Sequence, residues 1–394
     1  MKAACINDFM KKGVNEMTKR IVVLGAGSAG TMVANRLARQ LGEEIKKSKV
    51  EVTLISNTEK HIYQPGYLFI AFNEKPSEHF IRKQKSLVHR HVNLVYDDIE
   101  NIDVEKKTVK GKKQYQYDYL VIATGSHPDF DSVPGLREGA HNFYTLDGAE
   151  RLRDDLAAME KGKILITIDV PHKCPAAPLE LALMLDDYYR KNGRRKDIEI
   201  KYAYPIGRIH SLVPVAEWAQ PEFDKRDIKY ETFFNLEEVD PKRKVAITMD
   251  GEEHEYDMLI TIPAHTGAKA VIDSGIGDES GFIPTNRTTL KMLGQDDVYV
   301  LGDATNLPIS KAGSTAHYQS ESLVANILSR LSGRPETAVY NGKVACFLEN
   351  SLEDASMITF DYNNPPQPAA TSDLLHWFKA VYNELYWLNA RGIL

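Results

Sequence analysis

Short apolar runs, each followed by a turn and then by an amphipathic stretch, recur along the chain. Residues 21–24 (IVVL) form the first, consistent with a parallel strand buried on both faces. Gly25, Gly27 and Gly30 follow in the spacing G-x-G-x-x-G, and residues 31–41 carry Val33, Leu37 and Leu41 at helical intervals. Strand, glycine-rich turn and helix in that order predict a dinucleotide site. The glycines let the backbone approach a pyrophosphate, and the helix N-terminus offers free N–H groups. Residues 51–56 (EVTLIS) predict the next strand. A ribose-binding acid is expected about 20 residues beyond the glycines. Here the strand ends in Ser56-Asn57, and the first acid is Glu59. Hydroxyl and amide groups therefore stand where the acidic clamp would be.

Residues 61–73 read as an aromatic-rich loop and a short buried segment, 92–99 as a strand, and 104–117 as a polar hairpin turning at Lys110-Gly111. YDYLVIATG (117–125) is a strand closing in a small turn at Thr124-Gly125. A charged helix over 147–161 opens a second domain. The next strand-to-helix unit, ILITIDVPHKCPAAPLELAL (164–183), has no glycine in its turn and carries Cys174 there instead. A nicotinamide site has been exchanged for a thiol. Residues 198–203, 230–239 and 245–249 predict strands and 215–225 a helix. YDMLITI (256–262) echoes YDYLVIA, which predicts two domains of related design. VYVLGDATN (298–306) runs a strand into Gly302-Asp303, before a helix over 310–331. A carboxylate beside a helix N-terminus suits a hydroxyl-rich ligand.

The fold class expected is α/β. Two tandem Rossmann-like dinucleotide-binding domains are followed by a C-terminal segment with a terminal amphipathic helix. The boundaries are 18–145 with 275–335 for the first domain, 146–274 for the second, and 336–394 for the terminal segment, behind a polar leader over 1–17. In that segment, 340–362 is strand and loop around Cys346, and NNPPQP (363–368) is a linker. The final helix gathers Leu374, Leu375, Trp377, Phe378, Val381, Tyr382, Leu385, Tyr386 and Leu388 on about half its circumference at 100° per residue. Asp373, His376, Lys379, Asn383 and Glu384 lie opposite or at the edges, and Ser372 caps it. Two readings stand: an interfacial membrane anchor, or a helix docked on the protein's own core or on a second subunit. The polar face is not strongly basic.

Composition narrows the class. Of 394 residues, 43% are hydrophobic and 26% charged, with a formal net charge of -6, which argues against nucleic acid as the partner. No run approaches the roughly 18 apolar residues of a membrane span. The leader lacks the apolar core of a secretory signal, and Met17 is an alternative start. The cytoplasm is the expected compartment. Cys5, Cys174 and Cys346 are too few for a disulfide framework, and no metal site is read.

G-x-G-x-x-G, YDYLVIATG and VYVLGDATN together resemble the two-dinucleotide-binding-domain flavoproteins. That likeness implies FAD held by Gly25, Gly27, Gly30, Thr124, Gly125, Gly302 and Asp303, with Ser56 and Asn57 toward the adenosine. More narrowly, YQPGYLF, VPHKCPAAPLE, LGDATNLPISKAGSTAHYQS and YNGKVACF with MITFDY resemble segments of the sulfide:quinone oxidoreductases and the related sulfide dehydrogenases of flavocytochrome c. This resemblance implies Cys174 and Cys346 as redox cysteines, Lys311 near the isoalloxazine, and Glu180 as a proton handler. His210 is a second candidate. Many bacterial members carry a third cysteine just after the ATG turn. Here Ser126-His127-Pro128 stands in its place, as in the two-cysteine members, so the flavin is expected to be non-covalent. The implied reaction oxidises hydrosulfide to sulfane sulfur or polysulfide and passes electrons to a membrane quinone. A peripheral protein held on the cytoplasmic face by its last helix is expected, with homo-oligomerisation left open. The rivals are a sulfide:cytochrome c flavoprotein, a type II NADH:quinone oxidoreductase, and a non-enzymatic sulfur-binding flavoprotein. Helix dipole, His172 and Lys173 are expected to lower the Cys174 thiol pKa.

Overall fold

The computed structural model describes residues 17–394. Cys5 and nearly all of the leader lie outside them. β1 (Lys19–Leu24) is central in a five-stranded parallel sheet with β2 (Val50–Ser56), β3 (Asn93–Tyr96), β4 (Tyr119–Ile122) and β9 (Val298–Val300), in the order β9-β4-β1-β2-β3. The continuous apolar runs follow from this position, because strands covered on both faces have no solvent side to alternate with. α1 (Ser28–Gln40) returns across the sheet with Val33, Ala34, Leu37 and Ala38 buried against it. α5 (Gly313–Leu331) packs beside α1. The hairpin is present as two short strands, Thr108–Lys110 and Gln114–Gln116, joined by a third, Asn101–Asp103.

α2 (Leu146–Ala158) leads into the second domain, its start capped by the Thr145 hydroxyl, which accepts from Gly148 N–H. There β5 (Gly162–Ile168), β6 (Ile198–Tyr204), β7 (Lys229–Thr232) and β8 (Met258–Ile262) form a parallel sheet in the order β7-β6-β5-β8. α3 (Ala177–Lys191) and α4 (Val213–Lys225) accompany it. The region read as one strand over 230–239 breaks at Phe233, whose φ of 60° carries the chain out of the parallel sheet and into a separate antiparallel one. A short antiparallel pair, His127–Pro128 with His265–Thr266, ties the domains together.

The terminal segment is more regular than strand and loop. β10 (Val344–Glu349) and β11 (Ala355–Phe360) form a hairpin with Cys346 in register opposite Ile358. α6 (Asp373–Ala390) follows, with the Ser372 hydroxyl accepting from Leu375 N–H as predicted. Its orientation departs from an ordinary amphipathic helix. Lys379 is 8% exposed and Trp377 is 65% exposed, so part of the polar side faces the protein. Leu374, Phe378, Val381, Tyr382 and Leu385 are also exposed. Asn383 accepts a hydrogen bond from Tyr63 Oη at 2.7 Å, and Tyr386 Oη meets Ser28 Oγ at 2.7 Å and His61 Nε2 at 2.5 Å. Among the described residues no helix is long and apolar enough to cross a membrane.

Candidate active site

The first turn is built for a phosphate-bearing ligand. Gly25 holds φ at +97°, and a side chain at Gly30 would drive into the Gly25 carbonyl, so both glycines are required by the turn itself. A Cβ at Gly27 or Gly125 would meet nothing within 4 Å, which leaves the backbone there open to close approach. α1 begins with neither a side-chain cap nor an acid in its first turn. The Thr124 hydroxyl is buried and unpaired beside it. These features fit the pyrophosphate of a dinucleotide. Asp303, in the short helix Gly302–Ala304, accepts from Ser126 Oγ at 3.2 Å, so Ser126, just after the ATG turn, orients the carboxylate. Ser56 is buried with its hydroxyl donated to Thr58 O at 2.7 Å, while Asn57 is exposed.

The second turn meets the first domain at its thiol. Cys174 adopts φ of 52°, a region that costs a non-glycine residue about 1–3 kcal/mol. Two backbone bonds hold it: Cys174 N–H donates to Lys311 O at 2.8 Å, and Ala177 N–H donates to Cys174 O at 3.0 Å. Lys311 spends its ammonium on the carbonyls of Asp303 (2.8 Å) and Thr305 (2.7 Å), and burial lowers its pKa to about 8. The strand carrying Cys346 reaches the same stretch: Ala345 N–H donates to Ser314 Oγ, in the first turn of α5, at 3.3 Å. The two cysteines, both free, converge on residues 311–314.

The expected depression of the Cys174 pKa is overturned. Burial, then Glu180 and Cys346, raise this thiol well above its ordinary value, while the Ala177 backbone contact at the helix start only opposes them. Lys173 points away and donates to Ser126 O at 3.3 Å, and His172 is kept neutral by burial, its pKa lowered to about 4. The Cys346 thiol is pushed up to about 11, again chiefly by burial. Low-dielectric surroundings disfavour thiolate more than one helix end favours it.

Glu180 lies on α3, buried, and accepts from Glu349 N–H at 2.9 Å and from Lys379 Nζ at 2.5 Å. His210 is buried beside the Cys174 loop, next to His172 and Pro175; its Nδ1 accepts from Leu212 N–H at 3.0 Å, and burial brings its pKa down to about 4. Lys379, Glu349, and the Tyr386–Ser28–His61 contact were missed by sequence reasoning. Lys379 and Glu180 are 199 residues apart, so no local pattern joins them. A lone lysine at the edge of the apolar face of the last helix was the signal the sequence offered.

Glu74 neighbours this cluster. Burial, then Glu349, push its carboxyl up to about 7 from 4.5. The native state therefore binds this proton more tightly than the unfolded chain. That stabilisation is complete below about pH 4.5 and is lost as pH rises through 7. Glu74→Gln should remove the loss, adding on the order of 2–3 kcal/mol at about pH 8. Denaturant titrations between about pH 5 and pH 8 check this; an unaltered pH slope would disprove it.

Fold and site together define an FAD-dependent oxidoreductase of the two-dinucleotide-binding-domain class. Residues 19–167 match the pyridine nucleotide-disulphide oxidoreductase family. The mitochondrial sulfide:quinone oxidoreductase of Dictyostelium discoideum is 28% identical over 369 residues, covering 89% of this chain and 79% of that protein. The mouse mitochondrial sulfide:quinone oxidoreductase is 26% identical over 360 residues, covering 88% and 79%. Among solved structures, the sulfide:quinone oxidoreductase of Aquifex aeolicus matches with a TM-score of 0.85 at 20% identity, over 95% of this chain and 92% of that one. The likeness to sulfide:quinone oxidoreductases thus extends over most of the chain.

Proposed function

We propose that this protein oxidises hydrosulfide through Cys174 and Cys346 and delivers the electrons, by way of FAD, to a quinone in a membrane. The observation that carries the reading is the convergence of the two cysteine-bearing segments on residues 311–314 of the flavin domain, Cys174 through its own N–H and Cys346 through that of Ala345, beside the buried Glu180 carboxylate. Hydrosulfide attacks one sulfur of the oxidised pair. The cysteine–cysteine bond breaks, a persulfide S–S bond forms, and the other cysteine leaves as thiolate. The hydrosulfide proton passes to Glu180. FAD, when bound, supplies the two-electron acceptor between the sulfur site and the quinone. Gly25, Gly27, Gly30, Thr124, Gly125, Gly302 and Asp303 would hold it, with Lys311 fixing the loop that closes over it. Sulfane sulfur leaves as polysulfide or on a small acceptor.

The outward apolar stripe of α6 supports peripheral attachment to the bilayer, where a quinone is found. Tyr382 and Phe347 lie with ring centroids 5.9 Å apart, Tyr382 at the exposed edge of the stripe, and offer an aromatic entrance for the quinone ring. A nicotinamide donor is disfavoured by the second turn, where Cys174 and its prolines replace the glycines a pyrophosphate needs.

Anaerobic addition of sulfide should bleach the bound flavin, NADH should not, and a soluble quinone should restore the colour. Rapid bleaching by NADH with none by sulfide would overturn the reading in favour of the NADH:quinone alternative. Bound flavin that responds to neither donor would favour a non-enzymatic sulfur-binding flavoprotein.

A further inference from the structure

The helix with the outward apolar stripe also sends an ammonium into the sulfur site. Lys379 Nζ lies 2.5 Å from Glu180 Oε1 and 3.4 Å from Glu349 Oε1. His376, nearly one turn earlier on α6, meets the other oxygen of Glu349 at 3.0 Å. Glu180 stands on the helix that follows the Cys174 loop, and Glu349 ends the strand that carries Cys346. One lysine therefore bridges the two cysteine-bearing elements. It is held firmly: burial alone would lower its pKa, but Glu180 and Glu349 outweigh burial and raise it well above the ordinary value. Both thiols face Glu180, which disfavours thiolate, and Lys379, which favours it. Lys173 and the phenols of Tyr63 and Tyr144 also face Cys174, the phenol of Tyr382 faces Cys346, and Glu74 and His376 flank Glu349 and Lys379.

We propose that Lys379 is a positioning residue for the sulfur chemistry: it fixes the Glu180 carboxylate beside the cysteine pair and offsets its charge, so the outward-facing helix is also a wall of the redox site. The inference rests on the sulfide reading above. When hydrosulfide bonds to one cysteine sulfur, the electron pair of the broken cysteine–cysteine bond stays on the other sulfur, and the hydrosulfide proton moves to Glu180. Lys379 stabilises the negative charge on that departing sulfur. Without it, the Glu180 carboxylate, until it takes the proton, would oppose negative charge at both sulfurs. The geometry also separates two tasks on one helix. Lys379 faces inward, while Trp377 and Phe378 face outward.

Lys379→Met, Lys379→Arg and the double variant Glu180→Gln/Lys379→Met test this. Two readouts are used: the pH profile of flavin bleaching by sulfide, and the pH dependence of iodoacetamide labelling of Cys174 and Cys346 in the reduced protein, read peptide by peptide by mass spectrometry. Lys379→Met should cut labelling near neutral pH about ten-fold, equivalent to about one pKa unit, slow bleaching by at least about ten-fold, and leave vesicle binding unchanged. Lys379→Arg should recover most of both. In the double variant no charge is left uncompensated, so labelling should return towards wild type while bleaching stays slow. Recovery of the wild-type bleaching rate and pH profile in the double variant would show the pair to be merely structural and would overturn the proposal. So would unaltered labelling in Lys379→Met. Failure of the wild type to respond to sulfide would refute the sulfide reading, whereas the labelling series still decides the placement of Lys379.

Discussion

Serine at Cys174 or at Cys346 should lower sulfide-driven flavin reduction by about a thousand-fold or more while leaving the bound FAD spectrum in place. The two sulfurs act as one unit: an oxidised pair needs both, and neither serine can be a leaving group in disulfide exchange. The double variant should therefore be no slower than either single one, a non-additivity expected of groups that share one step. FAD should be retained because the glycine turn, Thr124 and Asp303 belong to the other domain, and Cys174 holds the Lys311 loop through its backbone N–H, which serine keeps. Stopped-flow spectroscopy after anaerobic mixing with sulfide provides the measurement. A single serine variant that keeps a tenth of the wild-type rate would exclude the paired-cysteine route.

The second large effect concerns the outward stripe of α6. Trp377, Phe378 and Val381 are each more than half exposed, so removing their apolar surface has little packing to disturb. Inserted in a bilayer, a side chain of this size is stabilised by about 1.5–3 kcal/mol. The triple variant Trp377→Gln/Phe378→Ser/Val381→Ser should therefore weaken vesicle binding by roughly a thousand-fold, with the flavin spectrum and melting behaviour retained. Co-sedimentation with phospholipid vesicles measures it. Undiminished partitioning would remove the membrane role. Dissociation of a dimer in the triple variant, with no change on vesicles, would assign the stripe to a second copy of the chain.

Legibility tracked sequence distance. The strand, G-x-G-x-x-G and helix of the first turn were readable because a phosphate-binding turn is a local device, complete within about 20 residues. The echo between YDYLVIA and YDMLITI correctly placed β4 and β8 as matching strands. Cys174 was legible as an oddity, a thiol where glycine belongs. Its electrostatics were not, because burial depends on everything packed around the loop, and that term reversed the expected direction. The C-terminal helix shows the same limit. Periodicity sorted its residues into two faces, but which face turns inward was set by partners far along the chain: Tyr63, Glu180, and Ser28 with His61. The carboxylates of Glu180 and Glu349 draw Lys379 inward, and the Tyr63 hydroxyl does the same for Asn383.

Strand β9 completes the first sheet by pairing its Val298–Val300 with Leu120–Ile122, after the whole second domain has intervened. No single cut in the chain can therefore separate the two halves intact. A fragment stopping before residue 298 would leave the edge of β4 bare, with unpaired N–H and C=O groups ready to recruit a foreign strand. A recombination event that exchanged the second domain would have to preserve two crossing points, one on each side of it, and both in register with the same sheet.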